Sequence, residues 1–235
     1  MQQGFLLIDK PAGMTSHDVV DRVRRATGER TVGHAGTLDP FATGLLIVAV
    51  GRACTKRIAE FVGMDKEYIA TLKLGATSDS GDLTGVITPV DDKMFRSAQH
   101  DNLHEVLTSL IGPQLQTPPM FSAKKIAGKK LYELAREGKT IERQPVPVTI
   151  YALAVLDPGS VAGMTGSDTI TFRTKVSSGT YIRTLGEDIA KQLGTGGYLT
   201  ALRRTTIGKF SVNDAISLER LDADRNSLPF FDAAC

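Results

Sequence analysis

The run of six apolar residues at 45–50, LLIVAV, constrains this chain more than any other stretch. It is far short of the ~20 residues that cross a bilayer, so its place is inside a folded core. A short continuous apolar run of this kind reads as a central strand, which needs neighbours along its edges and covering elements on its faces. The composition can supply them, since 41% of the 235 residues are hydrophobic and 23% charged, a balance that argues against intrinsic disorder. At roughly 150 residues per domain, the length suits one large domain or two small ones.

The amino terminus, MQQGFLLIDKP, has neither a basic leader nor a small-residue cleavage site. With no membrane segment either, the chain is expected in the cytoplasm. Cys54 and Cys235 belong to no CxxC pair or Cys/His cluster, which points to a reducing compartment and no zinc. Net charge is only +2, so any contact with a polyanion needs a local basic face. Residues 122–143 offer one, with seven Lys or Arg against three Glu, although an ordinary solvated helix and loop has the same pattern.

Around the central strand, FLLID (5–9) reads as a strand and Lys10-Pro11-Ala12-Gly13 as a turn. A helix then starts at Thr15 or Ser16, with Asp18 in its first turn, Val19, Val20 and Val23 on its inner face and Gly28 closing it. RACTKRIAEFV predicts a helix ended by Gly63, EYIATLKLG a strand, and 97–111 a helix stopped by Gly112-Pro113. The segment 115–148 carries four prolines around one short helix and is expected to stand out from the sheet as an arm, an insertion spanning about 113–148. VTIYALAVL and TITFRTKV predict strands, YIRTLGEDIAKQL a helix, and ALRRTTIGKFSV a returning strand bent at Gly208. No repeat or composition break divides the chain, so one α+β domain over 1–235 is expected, a mixed sheet flanked by helices.

Several familiar signatures fail for want of context. Gly138-Lys139-Thr140 resembles the end of a phosphate-binding loop, but Glu133 stands where glycine belongs. His100 and His104 have the spacing of a zinc pair without a following Glu or a third ligand, so no metal is expected. Ser122 and Lys125 match the S-x-x-K of serine acyl-enzymes without its companion motifs. ATSDSGDLTG lacks EF-hand spacing and reads as a polar loop. The loop VGHAGTLDPFATG (32–44) is different: three glycines permit close approach of a partner, and Pro40 restricts Asp39 to extended backbone, so one carboxylate can be presented rigidly. Taken alone, Asp-Pro is an ordinary turn pair.

Six blocks in one order, LLIDKPAGMTSHDVV, VGHAGTLDPFATGLL, KEYIATLKLGATSDSGD, PPMFSAKKIAGKKLYELAREG, SSGTYIRTLGEDIA and ALRRTTIGKFSV, resemble the tRNA pseudouridine synthase B (TruB) family. The resemblance runs from about residue 4 to about residue 220. It implies a pseudouridine-synthase-like, largely antiparallel sheet with an RNA-binding arm. It also implies isomerisation of uridine 55 in the T loop of tRNA without a guide RNA, a cofactor, a metal or a protein partner.

The same resemblance implies residue roles. Asp39 matches the catalytic aspartate and Arg183 the arginine that pairs with it. Tyr68 matches the tyrosine that stacks on the target base and assists removal of its C5 proton. His34 matches a histidine that enters the RNA loop, and Tyr181 and Leu202 match residues lining the uracil pocket. Lys124, Lys125, Lys129 and Lys130 of the arm, with Arg203 and Arg204, would contact phosphates. Lys10-Pro11 matches a motif that packs behind the site and is read as structural. Only about twenty residues follow Val212, so no carboxy-terminal PUA-type domain is expected. The rival reading is a tRNA-folding, RNA-binding module whose chemistry is incidental.

Overall fold

The structure, a computed structural model, describes residues 3–90, 103–122, 124–126, 128–156, 168–225 and 227–232. Along the chain come β1 (Gly4–Lys10), α1 (Ser16–Thr27), β2 (Val32–Ala35), β3 (Thr43–Val50), α2 (Arg52–Thr55), α3 (Ile58–Val62), β4 (Lys66–Leu74), β5 (Ala76–Ser78) and β6 (Ile87–Pro89). Then follow α4 (Leu103–Ser109), β7 (Gly112–Gln116), β8 (Lys125–Ile126), β9 (Lys129–Lys130), α5 (Leu131–Arg136), β10 (Val146–Val155) and β11 (Thr169–Val176). α6 (Ile182–Gln192), β12 (Gly197–Ile207), β13 (Phe210–Ser211) and α7 (Leu218–Ala223) complete the order. The chain groups into two compact units, one of residues 1–68 and 202–235, the other of residues 69–201.

In the first unit β3 is the central strand that its apolar run requires. Leu46, Val48 and Val50 pack into one cluster with Leu6, Ile8, Val19, Val20 and Val23, while Leu45, Ile47 and Ala49 pack into another with Phe5, Ala35, Phe61 and Ile207. Alternate side chains of a strand point to opposite faces, so a strand apolar at every position is buried on both. β1 runs antiparallel along β3, from Gly4 opposite Val50 to Lys10 opposite Gly44. β2 and β12 also pair with β3, β2 antiparallel with His34 opposite Val48 and β12 parallel with Arg203 opposite Thr43 and Arg204 opposite Gly44. At Gly44 (φ +104°) a Cβ would lie 2.3 Å from the Arg204 carbonyl oxygen, so only glycine allows this approach.

α1 follows its sequence signals closely. Thr15 caps it, with a reciprocal capping box between Thr15 and Asp18, a device whose loss costs about 1 kcal/mol. Gly28 ends it in the left-handed conformation, at φ 72°. RACTKRIAEFV departs from expectation and forms two short helices. Arg57 leaves helical geometry (φ −98°, ψ 2°), its side chain pairing with Glu60 and Asp232, while Ile58 and Phe61 face the core.

The second unit, which takes β4 from Ile69 onward, holds strands in the order β4, β11, β10, β7. Gly112-Pro113 stops α4 as expected, but the same residues open β7, which pairs antiparallel with β10 from Gly112 opposite Ile150 to Gln116 opposite Val146. Proline is tolerated there because β7 ends the strand order, where a missing N–H costs no ladder bond. The arm therefore leaves and re-enters through one strand pair, and carries the β8–β9 hairpin and α5 between. Of the described registers only β3–β12 is parallel, so the fold is the mixed, largely antiparallel α+β arrangement expected. Residues 97–102 of the helix expected before Gly112, His100 and Cys235 lie outside the described residues. Among the described residues no helix is long and apolar enough to cross a membrane.

Candidate active site

Asp39 is half-buried in the loop between β2 and β3, and three side chains anchor the backbone around it. Ser16 Oγ, at the start of α1, accepts from the Leu38 N–H at 2.9 Å and donates to the Leu38 carbonyl at 3.2 Å. Lys10 Nζ, at the end of β1, donates to the carbonyls of Met14 (2.7 Å), Pro11 (2.9 Å) and Pro40 (3.4 Å). Arg204 on β12 donates from Nε to the Leu45 carbonyl at 2.8 Å and from Nη2 to the Gly36 carbonyl at 3.1 Å, tying the two ends of the loop together. Backbone bonds from Gly13 to Pro40 (2.8 Å) and from Ala42 to Asp39 (3.1 Å) complete the frame. A carboxylate on a loop so anchored is presented without reorganisation.

Two buried cations, Lys10 and Arg204, bond to this frame. Lys10 is fully buried, and burial pushes its pKa down to about 8, with the Asp39 carboxylate opposing that shift and Arg204 adding to it. Burial and Arg204 likewise bring Lys66 to about 8, against Asp65. The pKa of His34 is lowered by burial, then by Arg204 and His17, so its ring is neutral near pH 7. Lys10, read from sequence as packing, thus both packs the loop and places a charge near Asp39.

A stability consequence follows from Lys10. Between pH about 8 and its ordinary 10.5 the unfolded chain binds the proton that the folded chain has lost, so stability rises with pH across that window. Urea unfolding at two pH values within it should show the wild type gaining stability relative to Lys10→Met. A difference that does not change with pH would contradict the buried-charge assignment.

Tyr68 is the third residue of β4 and only 8% exposed; Leu202, 7% exposed, immediately precedes the Arg203–Thr43 register pair at the foot of the Asp39 loop. Arg203 is half-exposed and pairs with both oxygens of Asp9, at 3.0 and 2.7 Å. Arg204, expected from sequence to contact phosphate, is instead found buried. At 1% exposure, with its guanidinium spent on two loop carbonyls, it is a scaffold for the loop.

In the second unit Arg183 is the second residue of α6 and is 4% exposed. Its Nη1 donates to the Ser80 carbonyl at 2.5 Å and its Nη2 to the Phe121 carbonyl at 2.6 Å, while Nε lies 3.8 Å from Asp82 Oδ2. Asp82, also buried, accepts from Ser80 Oγ at 2.9 Å and from Thr84 N and Oγ1 at 2.9 and 2.5 Å. The stretch ATSDSGDLTG, a plain polar loop by sequence, is therefore the cradle of this arginine. Its density of hydroxyls and carboxylates was the available signal, but nothing local names the guanidinium they serve. Tyr181 is half-buried at the N-cap of α6. Lys124 is half-buried and Lys129 exposed, and Lys125 and Lys130 pair across β8–β9.

The structure thus gathers Asp39, His34, Tyr68, Leu202, Arg203 and Arg204 in the first unit, and Tyr181, Arg183 and the arm lysines in the second. Among the described residues no three His, Cys, Asp or Glu side chains group as metal ligands. The chemistry on offer is that of an anchored carboxylate with the buried Lys10 ammonium acting on it, and a neutral imidazole, His34, on the strand that leads into its loop.

The family model described as TruB family pseudouridylate synthase (N terminal domain) matches residues 24–182. The model described as tRNA pseudouridylate synthase B C-terminal domain matches residues 183–227. The tRNA pseudouridine synthase B of Aquifex aeolicus is 45% identical over 95% of this chain and 75% of that relative. The protein of the same name from Desulfotalea psychrophila is 45% identical over 91% of this chain and 85% of its own length. Among solved structures, a chain of a Cbf5-Nop10-Gar1 complex aligns with a TM-score of 0.69 at 28% identity, covering 94% of this chain and 54% of that one. A chain of an archaeal box H/ACA sRNP Nop10-Cbf5 complex aligns with a TM-score of 0.66 at 25% identity, over 94% and 53%. The chain spans about half the length of those solved chains.

Proposed function

Because the chain belongs to the TruB family of pseudouridylate synthases, we propose that it isomerises uridine 55 in the T loop of tRNA, in the cytoplasm and without guide RNA or protein partner. The observation that carries this reading is the anchored Asp39 loop with the buried Lys10 ammonium acting on its carboxylate. In the reaction the C1′–N1 bond breaks, the uracil turns, and C1′ joins C5, while one proton leaves C5 and one is gained at N1. Nothing is oxidised or hydrolysed. A glycosidase needs a second carboxylate to activate water, whereas here the leaving base is also the returning nucleophile, so one suffices.

Asp39 either attacks C1′ or takes a sugar proton to release the base. That role needs the anionic form, which a neighbouring cation favours against desolvation. Lys10 is such a cation, and Arg183 is assigned the same role in the RNA-bound enzyme, where its permanently charged planar fork suits a carboxylate. Uracil in a folded loop is stacked, so it must be extruded and given a new stacking surface. Tyr68 provides that ring, and its phenol assists loss of the C5 proton. By the family resemblance the neutral His34 enters the RNA loop, and Tyr181 and Leu202 are each assigned to contact with the uracil.

The arm lysines Lys124, Lys125, Lys129 and Lys130, with Arg203, meet phosphates. An A-form stem shows little sequence in its deep groove, so recognition rests on T-loop shape and the extruded base. Affinity for a T-stem-loop should therefore fall as salt rises. The double variant Lys124→Ala/Lys129→Ala should flatten the dependence of log Kd on log salt by about 1 to 2. A slope equal to that of the wild type would remove these lysines from the interface. The decisive test of the function is modification mapping on a tRNA transcript treated with the purified chain alone. Pseudouridine at position 55 is the expected product; product elsewhere, or only when a guide or partner is added, refutes the assignment.

A further inference from the structure

We propose that Gln116 is a positioning residue for the uracil pocket, setting the backbone of Tyr181 and the start of the helix that carries Arg183. The proposal rests on the roles assigned to those two residues above. Gln116 is the last residue of β7 and is 5% exposed. Its Oε1 accepts from the Tyr181 N–H at 2.7 Å, and its Nε2 donates to the Tyr181 carbonyl at 3.1 Å. One side-chain amide thereby makes the pair of bonds that a neighbouring strand would make.

The need for such a clamp is local. Tyr181 is the N-cap of α6, yet no side chain there supplies the usual capping bond. Its carbonyl already accepts the first helical bond, from Leu185 N at 3.1 Å, and the Gln116 amide occupies the second lone pair. Tyr181 is thus held in extended geometry (φ −93°, ψ 111°), which sets the direction of its side chain and the rotation of the helix two residues before Arg183.

The same stretch of chain reaches Arg183 as well. Five residues beyond Gln116, the Phe121 carbonyl accepts from Arg183 Nη2. Between them lie Pro118 and Pro119, which stiffen the connection, and the Pro118 carbonyl is held by Arg143 Nη1 at 3.0 Å. The segment 116–121 is therefore a short strut pinned at one end to Tyr181 and at the other to Arg183. It is also the root from which the arm departs, so the element that grips RNA and the element that orients the pocket are one piece of chain.

The test compares wild type, Gln116→Ala and Gln116→Glu by single-turnover tritium release from a 5-tritiated-uridine T-stem-loop, with Kd and the thermal midpoint measured in parallel from pH 6 to 9. Gln116→Ala should slow turnover about 10- to 100-fold with Kd within about threefold, the scale on which small misplacements act. Gln116→Glu adds a sharper readout. A neutral carboxyl carries one acceptor and one O–H donor and so copies the amide, whereas the ionised form offers only acceptors to the Tyr181 carbonyl. The rate of Gln116→Glu relative to wild type should therefore fall as pH rises, while the Gln116→Ala ratio stays flat.

Wild-type turnover in both variants at every pH would overturn the proposal. So would losses that track Kd or the thermal midpoint with no pH dependence, since those mark a purely structural residue. A wild-type chain that releases no tritium would overturn the underlying function, and with it this proposal, and is recognised by that control alone.

Discussion

Asp39→Asn is expected to abolish tritium release from a 5-tritiated T-stem-loop, by about 10³-fold or more, while leaving RNA affinity within about threefold of wild type. The substitution keeps the shape of the side chain and removes the charge and the nucleophilic oxygen. The loop should stay in place, because Ser16, Lys10 and Arg204 anchor it through the backbone of Leu38, Pro40, Gly36 and Leu45, and these bonds survive the substitution. Lys10 gives a second readout. Asp39 raises its pKa against burial, so in the variant the lysine should titrate below its wild-type value of about 8. The experiment also separates the two functional readings, since an RNA-folding module would refold tRNA equally well in both forms. Equal tritium release by Asp39→Asn and wild type would end the catalytic assignment.

Arg204→Ala should destabilise the fold by about 2 to 4 kcal/mol, because the buried Leu45 carbonyl loses its donor at about 1 to 3 kcal/mol and the half-buried Gly36 carbonyl loses its donor at about 1 kcal/mol. Against a typical total of about 5 to 15 kcal/mol this is severe, and it should appear as a large drop in the urea midpoint. Turnover should fall further than the folded fraction explains, since the tie across the Asp39 loop is gone. Arg204→Lys retains the charge but lacks the fork that reaches both carbonyls, so it should recover only part of the loss. Arg204 also depresses the pKa of His34, which should rise toward its ordinary 6.5 in Arg204→Ala, as followed by imidazole resonances. Full stability and turnover with weakened RNA affinity would instead restore Arg204 to the phosphate-binding surface.

The contrast between Arg203 and Arg204 shows where sequence reading stopped. Two adjacent arginines look alike in LRRTTI, and a basic pair near an RNA-binding site invites a phosphate role for both. A strand sends neighbouring residues to opposite faces, so one of them had to point inward. Leu202 and Arg204 are buried on one face while Arg203 meets Asp9 at a half-exposed position on the other. Only the strand's register on β3 reveals which arginine is which.

The elements that sequence determined by itself are those whose causes lie within a few residues. The uniform apolar run of β3, the Thr15–Asp18 box and Gly28 around α1, and the breaker Gly112-Pro113 act through local sterics and short hydrogen bonds, which any fold must respect. The Asp39 loop stood out in the sequence for the same reason, because Pro40 restricts the backbone of Asp39 directly and the glycines permit close approach. What tertiary structure alone decided are the contacts that hold the functional side chains: Gln116 with Tyr181, 65 residues apart, Arg183 with Ser80, 103 apart, and Arg204 with Leu45, 159 apart. A buried polar group must find a partner, but which partner depends on how distant strands are placed in register, and that placement is set by the packing of the whole core.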